Sequence, residues 1–269
     1  MASNVNNAFI DLWNDEVHHL FQQKGSKLMN VSRKVTGVTG ATHKFHTLGA
    51  VVANTKSRDA EVTPLNPAQA VVTATLVDAY APIYIDKLDE IKTNADFRRE
   101  YVQTSANALG RYADQDIIAA MDASNGGTDT VGSGALTVAR VLDAKRKLDE
   151  ADVPMEDRYL VVSPAALEDM LNQEKVTSGD YQTVKALIRG DINSALGFQW
   201  IMSTQLTADS SPSSRLCYAF QRSAVGCAVG MELTTEVNYI PQRASYLINS
   251  FLSMGSVTIE PAGVIQLPV

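Results

Sequence analysis

Three observations predict an α+β fold. Residues 43–82 read as extended, residues 96–124 carry an unbroken helical pattern, and from Ala135 onward helix and strand signals alternate. The chain has 269 residues, 45% of them hydrophobic, enough to bury a real core in one elaborate domain or two intimate ones.

The elements follow in order. Residues 4–24 place Phe9, Leu12, Trp13, Val17, Leu20 and Phe21 at three- and four-residue steps, an amphipathic terminal helix that docks on its own body or on a neighbour. "SRKVTGVTGATHK" is too rich in Gly and Thr to continue it. A strand over about 43–53 and a second through "AVVTATLVDAYAP" flank a polar stretch broken by Pro64 and Pro67, which together make a long two-stranded arm.

The helix of residues 96–124 has Asp96 as N-cap and glycines beyond its end. Phe97, Tyr101, Val102, Ala108, Leu109, Tyr112 and Ala113 share one face, and Glu100, Gln103, Asn107, Arg111 and Asp114 the other. A helix starting near Leu136 or Thr137 and ending before Pro154 comes next. Then come a strand (159–162), a short helix (164–172), a helical segment (181–189) and a strand (198–203). A surface loop "LTADSSPSSR" precedes "LCYAF", a short helix within 221–228, and strand-like runs to the C-terminus.

The chemistry of an enzyme is not legible. Ser163 sits at a strand-to-helix corner, where hydrolases place a nucleophile, but no glycine flanks it and all four histidines (His18, His19, His43, His46) lie far upstream. Ser163 followed by Pro164 is instead the pattern of an N-cap with proline at the first helical position. A strand puts His43 and His46 on opposite faces, which does not make a metal site. The glycine-rich stretches lack the Gly-Lys-Ser/Thr of a phosphate loop. The pairs Asp114/Asp116, Asp86/Asp89 and Glu150/Asp152 read as solvated charge, and Asn30-Val31-Ser32 as an idle glycosylation pattern. No catalytic, cofactor-binding or metal-binding residues are assigned.

Composition narrows the partners. The net charge is −7 with a pI near 5.1, which excludes a strong diffuse attraction to nucleic acid. Cys217 and Cys227 read as two reduced, buried thiols. With no signal-peptide pattern and no run of about 18 apolar residues, a soluble protein made in a cytoplasm is expected, without a membrane.

The order of elements, together with "YADQDIIAAMDAS", "LDEADVPMEDRYLVVSPAALEDML" and "INSALGFQWIMSTQL", resembles the major capsid proteins of tailed bacteriophages, whose fold is the Hong Kong 97 type. The resemblance spans essentially the whole chain. It implies an N-arm (1–35), an extended loop (36–80), a peripheral domain with the spine helix (81–130 and 237–269) and an axial domain (131–236). It implies hexamers and pentamers of the chain in an icosahedral shell around double-stranded DNA, held without sequence-specific contact. A portal protein and, since no assembly-guiding domain precedes the loop, a separate scaffolding protein would be its partners. The protein would reside in the virion after synthesis in the host bacterial cytoplasm.

An isolated two-stranded hairpin is marginal in water, so the arm should rest on a neighbouring subunit. Its tip charges Lys56, Arg58, Asp59 and Glu61 are the candidate inter-subunit contacts. The alternatives are the shell of an encapsulin-type nanocompartment, a tail or neck component, and a Ser163-dependent hydrolase.

Overall fold

The computed structural model describes residues 22–87, 97–124, 134–172, 194–208 and 214–269. The expected helix of residues 181–189, the Asp96 cap, His18 and His19 lie outside them, as do most of the helix of residues 4–24 and half of the "LTADSSPSSR" loop.

Two sheets organise the chain. The first has the order β1 (Arg33–Thr36), β8 (Val225–Ile240), β9 (Ser245–Thr258), β4 (Val77–Asp86). The second has the order β10 (Val264–Pro268), β7 (Leu216–Gln221), β5 (Arg158–Val162), β6 (Gln199–Met202). Strands β2 (Thr42–Leu48) and β3 (Gln69–Thr75) form a separate antiparallel ribbon, from His43 opposite Ala74 to Leu48 opposite Gln69.

Helix α1 (Phe97–Asp122) packs on β9, β4 and β8 of the first sheet. At 1.5 Å per residue it is about 39 Å long. Ser105 Oγ fixes its seat, donating to the carbonyl of Ala81 on β4 at 3.1 Å and accepting from the Ser250 hydroxyl on β9 at 2.5 Å. Its far end is tied to the second sheet. The Tyr218 hydroxyl donates to Asp122, Thr207 Oγ1 donates to Asp122 at 2.5 Å, and Gln266 Nε2 donates to the carbonyl of Met121 at 3.1 Å. The helix therefore bridges the two sheets.

Helix α2 (Val138–Glu150) packs on β10 of the second sheet, and α3 (Pro164–Leu171) follows directly from β5. Strand β5 is central, parallel to β6 and antiparallel to β7, and all five of its residues are buried. That accounts for its unbroken apolar run. Thr137 caps α2 by accepting from the amide of Arg140, as the sequence suggests.

Two local expectations are corrected. The extended run "AVVTATLVDAYAP" is not one strand: the chain changes partner at Leu76, leaving β2 for β9. Gly255 lies under that junction, and a Cβ there would collide with the carbonyl oxygen of Thr75. Pro82 is tolerated within β4 because β4 is an edge strand. The helix expected within 221–228 is only a 3-10 turn over Arg222–Ala224, since Gly226, Cys227 and Ala228 are committed to pairing with both β1 and β9. The expected domain boundary at 236/237 falls within β8, and β10 lies in the second sheet.

Candidate assembly surfaces

The arm is anchored at its root and free at its tip. Phe45 and Ala74, on one face of the ribbon, are buried with Ala228 and Ile259, and Val35, Val38, Leu76 and Val257 close around them. His43 sits on the same face, its ring edge-on to Phe45 at 4.7 Å, while His46 is on the other face and exposed. The last cross-strand bond joins the amide of Gly49 to the carbonyl of Ala68 at 2.7 Å. Beyond it the two limbs part.

The strand expected to reach Ala53 therefore stops at Leu48. The limbs beyond are less polar than the sequence suggests. Val52 is 85% exposed, Val62 74% and Leu48 67%, with Val51 and Leu65 exposed as well. Lys56, Arg58, Asp59 and Glu61 are all exposed around the apex. The structure brings these four together in one turn.

A second surface was misread in the sequence. The side of α1 expected to face water is covered by the segment that leads into β1. Asp114 is fully buried, and its carboxylate accepts from the amides of Lys27 and Leu28, each at 3.0 Å, from Ser26 Oγ at 2.5 Å, and from Gln23 Nε2. Asn107 Oδ1 accepts from the amide of Gly25 at 3.4 Å, and Arg111 donates to Gln22 at 2.9 Å. Gly110 makes the crossing possible, since a Cβ there would lie 2.5 Å from the carbonyl carbon of Gly25. Asp114 was therefore legible only as a polar helix position. A carboxylate that gathers several N–H and O–H donors needs no counter-charge nearby.

Asp116 is not solvated charge either. Burial raises its carboxyl above the ordinary carboxylate range, against the smaller lowering effect of hydrogen bonding from Ser256. Between the N-terminal segment, α1 and β8 lies a hollow of about 270 Å³, lined mainly by apolar groups including Met29, Leu109, Val229 and Leu252, with the Lys34–Glu232 ion pair (2.8 Å) on its wall. Ser26 belongs to its lining, and that hydroxyl is committed to Asp114 in the clamp on α1.

Ser163 is the N-cap of α3. Its Oγ accepts from the amide of Ala166 at 3.1 Å, and Pro164 occupies the first turn. Cys217 and Cys227 are free and buried, and burial pushes both thiols up to about 11, far from a reactive thiolate. Among the described residues no group of His, Cys, Asp and Glu is placed to hold a metal ion, and no helix is long and apolar enough to cross a membrane.

The family described as phage capsid protein matches residues 5–268. Among solved structures, a chain of Mycobacterium phage Che8 is similar at a TM-score of 0.78 and 20% identity, covering 95% of each chain. The capsid of Cyanophage P-SCSP1u gives 0.78 at 18% identity, covering 99% of this chain and 94% of that one. The capsid of a native GTA particle gives 0.74 at 11% identity, covering 98% and 97%. No curated protein matches. The expected α+β capsid fold of the Hong Kong 97 type is borne out.

Proposed function

The chain belongs to the phage capsid protein family, and from that premise we propose how a subunit of this shape builds a shell. It is a structural major capsid protein, not an enzyme, and a component of the virion that associates with copies of itself. The nanocompartment and hydrolase readings are not favoured.

The proposed mechanism is mechanical. The arm of residues 36–80 lies across a neighbouring subunit, whose surface covers Leu48, Val51, Val52, Val62 and Leu65. The observation that carries this is the arm's shape: its root is buried at Phe45, and past the Gly49–Ala68 bond its apolar side chains stand in water. Lys56, Arg58, Asp59 and Glu61 are its polar contacts. Residues 1–35 act as an N-arm, whose last part Asp114 clamps to the spine helix α1. The peripheral domain (81–130 and 237–269) and the axial domain (131–236) are taken as the rigid parts, with β8 and β10 crossing that division.

Hexamers and pentamers of such subunits close an icosahedral shell around double-stranded DNA. A net charge of −7 suits a wall that contains the genome without gripping it. A separate scaffolding protein guides assembly, a portal protein completes one vertex, and synthesis takes place in the host bacterial cytoplasm.

Negative-stain microscopy and sedimentation of the full-length chain, expressed with its scaffold, test this. Closed shells are expected. A monodisperse monomer under every condition would overturn the reading, and shells that hold a cargo enzyme and no nucleic acid would favour a nanocompartment instead.

A further inference from the structure

The tip of the arm carries a charge pattern complementary to itself. From Lys56 to Glu61 the chain runs Lys-Ser-Arg-Asp-Ala-Glu, with Lys56 on the outgoing limb, Arg58 and Asp59 at the centre of the turn, and Glu61 on the returning limb. A tight turn joins the limbs. The amide of Ala60 donates to the carbonyl of Ser57 at 3.2 Å, and Asp59 takes the left-handed conformation at φ 66°, which aspartate tolerates better than most residues. All six residues are exposed.

The charges are not used within the subunit. Lys56 Nζ donates to the carbonyl of Ala60 at 3.1 Å rather than to the carboxylate of Glu61. Among the described residues, the ion pairs involve none of these four side chains. The tip thus has its cations on the outgoing side of the turn and its anions on the returning side.

We infer that this tip meets the tip of a second copy across a two-fold axis perpendicular to the ribbon. That rotation sets the outgoing limb of one copy against the returning limb of the other. Lys56 then faces Glu61 of the second copy and Arg58 faces its Asp59, with each pair formed twice, as an isologous contact requires. A two-fold axis lying in the plane of the ribbon would set like charges together. Each exposed pair is weak and is screened over about 8 Å at physiological salt, but a closed lattice repeats it. This inference rests on the self-association proposed above and names the partner of the arm's apex.

The test uses the full-length chain under conditions where the wild type forms shells, with Lys56→Glu and Glu61→Lys made singly and together. Both positions are exposed, so circular dichroism should be unchanged. Each single variant should lose shells, because it sets like charges across the axis, and the double variant should recover them. A double variant that fails like the singles would show that the tip reads a fixed charged surface elsewhere, and would overturn the inference. Wild-type shell yield from all three variants would overturn it too.

Contact between subunits is separated from a bond within one tip by co-expressing a Ser57→Cys chain with an Ala60→Cys chain. The two native cysteines are buried, so mild oxidation of assembled particles should give a dimer band that needs both variants. Absence of that band in intact shells contradicts the inference. A wild-type chain that never assembles sinks the assembly reading itself, and this inference with it, so the two failures are distinguishable.

Discussion

The backbone amide of Leu28 donates to the carboxylate of Asp114 at 3.0 Å, joining the start of the described chain to helix α1. Ser26 and Lys27 bind the same carboxylate. One side chain therefore ties residues 23–28 to α1, just before β1 enters the first sheet.

Replacing Asp114 with Ala strands several buried donors at once. Buried hydrogen bonds to a charged group contribute about 1.5–3 kcal/mol each, and such networks are not additive. Asp114→Ala should lower the unfolding free energy by roughly 2–4 kcal/mol, read from urea melts. Limited proteolysis near Gln22–Leu28 should become faster. Asp114→Asn, which keeps one acceptor oxygen, should be milder.

Gly110→Ala tests the crossing of the segment over α1. Alanine favours a helix over glycine by about 1 kcal/mol, so an open position would become more stable. Here the new Cβ would lie 2.5 Å from backbone of Gly25, and backbone cannot swing aside. A net destabilisation is expected in thermal melts. A rise in melting temperature would mean that the segment does not press on the helix.

Asp116 gives a pH dependence with a definite sign. Its folded carboxyl titrates above the unfolded one because of burial, so the folded state holds its proton over a window where the unfolded state has lost it. Stability therefore falls as pH rises from the ordinary carboxylate range through the raised folded value. Asp116→Asn should be more stable than wild type at pH 7, and the advantage should shrink as pH falls below that window. Melting both proteins across pH 4–7 checks this. An advantage independent of pH would show that the charge is not the cause.

Much of the fold was legible because it follows from local chemistry. The Ser163-Pro164 corner, the buried run of β5 and the ribbon of β2 and β3 each have a sequence pattern that tertiary contacts leave intact. Other features depend on partners distant in sequence. Asn107 and Asp114 match a solvated helix face until Gly25 and Leu28 are laid over them. Residues 225–228 look helical until β1 and β9 claim them on both sides. The arm is similar: a tip rich in Lys, Arg, Asp and Glu conceals that Val52 and Val62 are its most exposed apolar groups.

The central claim is that the arm works between subunits rather than within one. Replacing residues 54–66 with a short Gly-Ser turn tests it most directly, because the strands and the Phe45 root remain. Changing the length of a surface loop costs only about 0.6 kcal/mol per doubling. The shortened chain should therefore show wild-type circular dichroism and melting, yet fail to form closed shells with its scaffold under the microscope. Closed shells at wild-type yield would contradict the claim.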